Sequence, residues 1–195
     1  VDLTLYVITD RALSGRGHEE QAAAAIRGGA SAIQLREKGL PARELVEVGR
    51  RMAALCRDAG VVCIINDRAD VAVACGADGV HVGEDDLPVA AARRIVGPRG
   101  IVGASAGTVE AALRAQAEGA DYLGAGSVYA TGTKDDAGPP IGTEGLAAIV
   151  RAVRIPVVAI GGITARVVPE VMRTGAAGVG GGGARGGAPP NARAP

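Results

Sequence analysis

Asp67 and Asp86 each follow a short apolar run with strand character, residues 61–65 for the first and Gly79–Val82 for the second. Carboxylates so placed can hold a hard divalent cation if both emerge on one edge of a sheet. Gln34, Arg36 and Lys38 alternate along another apolar run, so an amide and two cations share one side of a strand. Guanidinium and ammonium groups neutralise phosphoryl oxygens, and together with the carboxylates they suit a magnesium-bound diphosphate. Each acid also has a plain structural reading. Asn66-Asp67 before an apolar helix, or Asp86 before Leu87-Pro88, is what a helix N-cap looks like.

The elements that must position these residues alternate along the chain. Strands are expected at residues 3–9, 31–36, 61–65, 79–82, 101–103, 121–126 and 156–160. Helices are expected at 19–27, 42–59, 69–75, 89–96, 109–118, 143–153 and 164–173. Helix 42–59 carries apolar residues at helical spacing: Leu45, Val48, Met52, Leu55 and Cys56. Short, continuously apolar strands rich in Val and Ile, each followed by a helix, predict a parallel sheet covered by helices.

A repeat sharpens this expectation. Gly29-Ala30, Gly76-Ala77, Gly119-Ala120 and Gly175-Ala176 each stand between a helix and an apolar strand, at the second, fourth, sixth and eighth strand positions. Four such quarters of two βα units each give the strand count of a (β/α)8 TIM barrel, and each Gly is placed to end its helix. The last quarter departs from the pattern. GVGGGGARGGAPPNARAP, from Gly178 onward, has too much Gly and Pro to predict a firm eighth strand and closing helix. The expected division is therefore one barrel domain over residues 1–179, with an irregular, incomplete eighth unit, and an irregular or disordered Gly/Pro-rich tail over 180–195.

With 195 residues, 48% of them hydrophobic, the chain can bury one sizeable core. Zero formal net charge and only three aromatic residues, Tyr6, Tyr122 and Tyr129, argue against nucleic acid as a partner. Cys56, Cys63 and Cys75 lie in apolar contexts without CxxC spacing and read as small buried hydrophobes in a reducing compartment. No apolar run is long enough to cross a bilayer, and the start lacks a basic n-region, so the expectation is a cytoplasmic protein without a membrane partner. His81, inside an apolar strand, reads as a packed histidine, and His18, in a Gly-rich stretch, receives no role.

If the strands form a barrel, its C-terminal rim gathers the candidate site. It carries Gln34, Arg36 and Lys38 from the second strand and Asn66 and Asp67 from the third. Glu84, Asp85 and Asp86 follow the fourth strand and Ser105 the fifth. Thr131, Thr133 and Lys134 follow the sixth, and Gly161 and Gly162 the seventh. These motifs resemble thiamine phosphate synthase in order and spacing: Gln34-Leu35-Arg36-Glu37-Lys38, Ile65-Asn66-Asp67-Arg68, Gly79-Val80-His81-Val82-Gly83 through Asp86-Leu87-Pro88, Thr131-Gly132-Thr133-Lys134-Asp135, and Ala159-Ile160-Gly161-Gly162-Ile163. The resemblance implies a Mg2+-dependent transferase that condenses hydroxymethylpyrimidine diphosphate with thiazole phosphate to give thiamine phosphate and pyrophosphate.

Carried over by position, Asp67 and Asp86 would hold Mg2+. Gln34, Arg36, Lys38, Asn66, Ser105 and Lys134 would bind the pyrimidine diphosphate, with Ser105 and Lys134 as the catalytic residues. Thr131, Thr133 and Gly162 would bind the thiazole phosphate, with backbone at Gly182 and Gly183. The chain departs from the family pattern at Glu84, where Gln is usual, at Gly107, where Ser-x-His-Thr is common, and at its tail, where Gly180 to Gly183 and a Pro-rich end replace the family's phosphate loop and final helix. A related thiazole tautomerase, an isomerase on the same scaffold, would need a histidine near Gly107, where none stands. An inactive ligand-binding barrel is the remaining alternative. The partners implied are small phosphorylated substrates, with a homo-oligomer left open.

Overall fold

The computed structural model describes residues 1–131 and 139–182. In chain order the elements are β1 (Leu5–Asp10), α1 (Arg11–Ser14), α2 (His18–Arg27), β2 (Ala32–Arg36), α3 (Ala42–Ala59), β3 (Val62–Asn66), α4 (Ala69–Cys75), β4 (Gly79–Val82), α5 (Val89–Val96), β5 (Ile101–Ala106), α6 (Val109–Ala117), β6 (Tyr122–Ala125), α7 (Gly142–Ala152), β7 (Val157–Ile160), α8 (Val168–Met172) and β8 (Gly178–Gly182). Every neighbouring pair of strands is parallel, and the eight close into a barrel in sequence order. This is the (β/α)8 fold that the alternation predicts.

The repeated glycines act as helix stops. Gly29, Gly76, Gly119 and Gly175 all have positive φ, between +71° and +99°. The amides of Ala30, Ala77 and Ala120 reach back to the carbonyls of Ala25, Ala72 and Ala115 at 3.0–3.1 Å. This is a Schellman closure, which needs a left-handed residue and so favours Gly. Each closure turns the chain directly into the next strand, which sets the short αβ connection shared by the quarters.

Two apolar regions result. Between barrel and helices lies a continuous core that includes Ile33, Leu35, Ile65, Val80, Val102, Leu123 and Val179 from the strands, and Leu45, Met52, Cys56, Leu146 and Ile149 from the helices. Full burial of each Leu, Ile or Met side chain contributes roughly 1.5–3 kcal/mol. Inside the barrel a smaller cluster of Leu3, Tyr6, Ile8, Ala32, Tyr122 and Val158 fills the floor. Leu55 does not join the buried stripe of α3: it is 36% exposed, on the helix's solvent side. No helix of the described residues is long and apolar enough to cross a membrane.

The eighth strand corrects the sequence reading. Gly178–Gly182 forms β8 and pairs with β1 through Leu5–Val179, Tyr6–Gly180, Val7–Gly181 and Ile8–Gly182, and also with β7. Barrel pairing therefore runs three residues past the expected boundary at 179. Low strand propensity is overridden because the edges of β1 and β7 both offer unpaired backbone groups, whose burial without partners would be costly. The expected irregular stretch beyond 182 lies outside the described residues. Within β5, Ser105 sits inside the strand rather than after it, because β5 runs to Ala106.

Crowding at Gly178 is a test of this closure. A Cβ there would fall 1.9 Å from the Leu3 carbonyl oxygen, whereas one at Gly181 meets nothing within 4 Å. Urea denaturation of Gly178→Ala should therefore reveal a loss of about 2 kcal/mol or more, with Gly181→Ala near wild type. Equal stability of the two variants would mean that β8 does not seat against β1 as described.

Candidate active site

The rim is built outward from the end of β3. The Asp67 amide donates to the His81 carbonyl at 2.8 Å, and the Arg68 amide closes a tight turn onto the Asn66 carbonyl at 2.7 Å. At the centre of that turn Asp67 has φ +62°, which no other non-glycine among the described residues shares in sign. A left-handed residue other than Gly stores on the order of 1–2 kcal/mol, with Asp among the more tolerant types. The turn holds the Asp67 carboxylate near Lys38, whose Nζ lies 3.9 Å from Oδ2. Capping does not explain the acid: α4 has Arg68 at its N-cap position and no side-chain cap bond.

Asp86 also does not cap a helix. Its Oδ2 accepts from the Gly83 amide at 2.9 Å, inside the β4–α5 loop, and α5 begins after Pro88 instead. Glu84, on the same loop, accepts from the Gly107 amide at 3.1 Å. Glu84 and Gly107, both departures from the family pattern, therefore touch each other, and the extra carboxylate is engaged with the β5–α6 connection. Gly107 brings only backbone to this contact, so the imidazole expected of the isomerase alternative is absent from that position.

On the β1–β2 side, Arg36 donates to the Asp10 carboxylate. Asp10 Oδ1 at the same time accepts from the Leu13 amide at 3.0 Å and caps α1. The charge pair is largely buried, with side chains 18% and 7% exposed, so the guanidinium is fixed rather than sweeping through solvent. His18 was missed by the sequence reading. It is 3% exposed, its Nδ1 lies 2.9 Å from Thr9 Oγ1, and its Nε2 lies 3.3 Å from Glu37 Oε2. Arg11 joins Glu37 at 3.3 Å. Burial pushes the Glu37 carboxyl up, yet the Gly39 amide, His18 and Arg11 outweigh it and hold the group below its usual range. The segment 36–38 is thus clamped by its middle residue, leaving cations on either side. The signal available in sequence was only a lone histidine, too little to find this.

Gln34 points into the barrel, 2% exposed, and donates to the Tyr6 hydroxyl at 2.9 Å. Ser105 meets His81 Nε2 at 3.1 Å. Across the barrel, the loop after β6 is pinned at its base: Val128 and Tyr129 donate to the carbonyls of Ile160 and Gly161, and the Ile141 amide to that of Ser127. Gly161 and Gly162 are not a plain turn. Both have positive φ, and a Cβ would fall 2.7 Å from Ser127 or Tyr129 atoms, so backbone passes directly beneath the segment that leads to Thr131. Gly182, at the end of β8, stands opposite Ile8 of β1. Thr133, Lys134 and Gly183 lie outside the described residues.

A divalent cation can be tested against this donor set. The described residues hold no group of three or more His, Cys, Asp or Glu able to cage a metal. Asp67 and Asp86, on consecutive βα connections, instead offer the one or two carboxylates that Mg2+ takes when substrate phosphates complete its shell. The residues fit that kind of site.

Comparison with known proteins agrees with this geometry. Residues 5–183 match the family described as thiamine monophosphate synthase. A thiamine-phosphate synthase of Moorella thermoacetica is 56% identical over 173 residues, 89% of this chain and 82% of that protein. One from Roseiflexus sp. is 53% identical over 176 residues, 90% of this chain and 75% of that protein. A solved structure of thiamine phosphate pyrophosphorylase from Pyrococcus furiosus superposes with a TM-score of 0.86 at 47% identity, covering 93% of this chain and 86% of the other.

The strain at Asp67 can be measured. Asp67→Gly relieves the left-handed penalty at some cost in backbone entropy, and the Lys38 partner in the ion pair it gives up is 60% exposed, so its unfolding free energy should equal wild type or exceed it by up to about 1 kcal/mol. A loss of more than about 1 kcal/mol in urea titration would show that the carboxylate serves stability instead.

Proposed function

We propose how this site divides its work from one established premise: the chain belongs to the thiamine monophosphate synthase family. It is a transferase that condenses hydroxymethylpyrimidine diphosphate with thiazole phosphate to give thiamine phosphate and pyrophosphate. The pyrimidine methylene carbon loses its bond to the diphosphate oxygen, which departs with the electron pair. The thiazole nitrogen then provides the pair for the new carbon–nitrogen bond. Such an exchange requires no side-chain nucleophile; it requires that charge on the leaving diphosphate be met by fixed opposite charge.

Asp67 and Asp86 are assigned as the Mg2+ ligands. The ion, when bound, supplies charge neutralisation at the departing diphosphate. Arg36, Lys38, Asn66, Ser105 and Lys134 bind the pyrimidine diphosphate, and Gln34 lies deeper, on the pyrimidine side. Arg36 enters this role already fixed by Asp10, so ordering its long side chain costs little on binding. Ser105 and Lys134 act at the reacting end of the diphosphate. Thr131, Thr133 and Gly162 receive the thiazole phosphate, with backbone at Gly182 and Gly183. The three buried, unpaired cysteines support a reducing compartment, the cytoplasm.

The observation that carries the assignment is Asp67. A strained turn, not used to cap a helix, is kept at the end of β3 and holds a carboxylate beside Lys38. The purified protein should release thiamine phosphate and pyrophosphate in equal amounts when given both substrates and Mg2+, and a chelator should stop turnover. Asp67→Asn should raise the Mg2+ needed for half-maximal rate and lower kcat by roughly ten-fold or more, as expected for losing a charged metal ligand. Turnover indifferent to chelation, or an Asp67→Asn enzyme with unchanged metal requirement, would remove the metal assignment.

A further inference from the structure

The barrel lumen contains a line of hydrogen-bonding side chains that substrate binding alone does not account for. Gln34 Nε2 donates to Tyr6 Oη at 2.9 Å, and Tyr6 Oη meets Tyr122 Oη at 2.7 Å. His81 Nδ1 lies 3.0 Å from Tyr122 Oη, and its Nε2 lies 3.1 Å from Ser105 Oγ. Burial pushes both phenols well above their ordinary range, so each keeps its single proton. Space for the rings is cut by glycines. A Cβ at Gly103 would fall 2.1 Å from the Tyr122 ring, and one at Gly124 would lie 3.1 Å from His81 Cε1.

Taken together, these four contacts have one order of donors that gives every phenol and imidazole proton in the line a partner. The Gln34 amide can only give its proton, so Tyr6 accepts there and has one proton left, which goes to Tyr122. Tyr122, having accepted, gives its own to His81 Nδ1, which must be bare; the ring proton is then on Nε2 and goes to Ser105 Oγ. In that order Ser105 accepts from His81, which leaves its own hydroxyl proton for another acceptor.

We propose that Tyr6, Tyr122 and His81 are positioning residues, forming a directional hydrogen-bond relay that holds Ser105 as a donor toward an oxygen of the bound diphosphate. The proposal rests on the placement of Ser105 given under Proposed function and adds the three residues behind it. Polarised chains of this kind strengthen their terminal donor, and fixing the hydroxyl in advance removes an ordering cost at the reacting centre.

The test has one arm that needs no turnover. Long-range proton–nitrogen correlation spectra of the full chain, labelled with 15N-histidine, should find the His81 proton on Nε2 in wild type, and redistributed toward Nδ1 in Tyr122→Phe. A wild-type proton on Nδ1 overturns the relay. In the kinetic arm, Ser105→Ala and Tyr122→Phe should each lower kcat/KM for the pyrimidine diphosphate by roughly three- to ten-fold, the size of one neutral hydrogen bond. Ser105→Thr, which keeps the hydroxyl, should lose less than Ser105→Ala. The double variant should be no slower than Ser105→Ala, since both act through one hydroxyl; multiplicative losses overturn the proposal. A silent Ser105→Ala would instead sink the placement of Ser105 and the proposal with it, while absence of product from wild type would sink the functional reading and leave the spectrum to decide the relay.

Discussion

Backbone pairing between β8 and β1 is the constraint from which the site follows. An open sheet would leave Gln34, Asn66 and Ser105 strung along an edge, whereas closure turns their strands into a ring around one lumen. Once the ring is closed, the strand register fixes which residues face one another across it. His81 and Tyr122 come within bonding distance only because β4, β5 and β6 carry them inward at the right height, with Gly103 between them leaving room. The apolar floor below excludes water, so the polar line above it runs through a medium where each hydrogen bond is electrostatically stronger than it would be at the surface.

Charge at the rim is organised by the same economy of motion. Arg36 is tied to Asp10, Glu37 to His18 and Arg11, and Glu84 to the Gly107 amide, so the neighbours of the ligand are arrested before it arrives. Asp67 belongs to this group through its backbone, since a turn that costs energy is held in place by the β3–β4 ladder on which it sits. Side chains held in this way react to a charged ligand without first paying to be ordered.

Much of this arrangement is readable from residue order. Alternating apolar strands and helices, with a Gly-Ala step repeated at even strands, specify a (β/α)8 barrel because those signals are local: periodicity for the element, a left-handed residue for its end. Asp67 and Asp86 are readable as candidates but not as non-caps, since capping is excluded only by where the folded chain starts α4 and α5. The formation of β8 was obscured because its stability comes from two neighbouring strands, not from its own residues. His18 and His81 were undervalued for the same reason: their partners Thr9 and Glu37, and Tyr122 and Ser105, are 9, 19, 41 and 24 residues away, distances at which no sequence pattern speaks.

Strand β8 carries one more implication. Val179 packs outward against the helices, so the inward positions of the strand are Gly178, Gly180 and Gly182. One side of the lumen is therefore lined by main chain alone. Single substitutions can retune the wall elsewhere by exchanging one side chain for another, but here any replacement adds bulk where there was none, and at Gly178 it collides with the Leu3–Thr4 backbone that leads into β1. That face is evolutionarily stiff: its chemistry is set by the peptide group, common to all residues, and drift in ligand preference must be accommodated on the opposite wall.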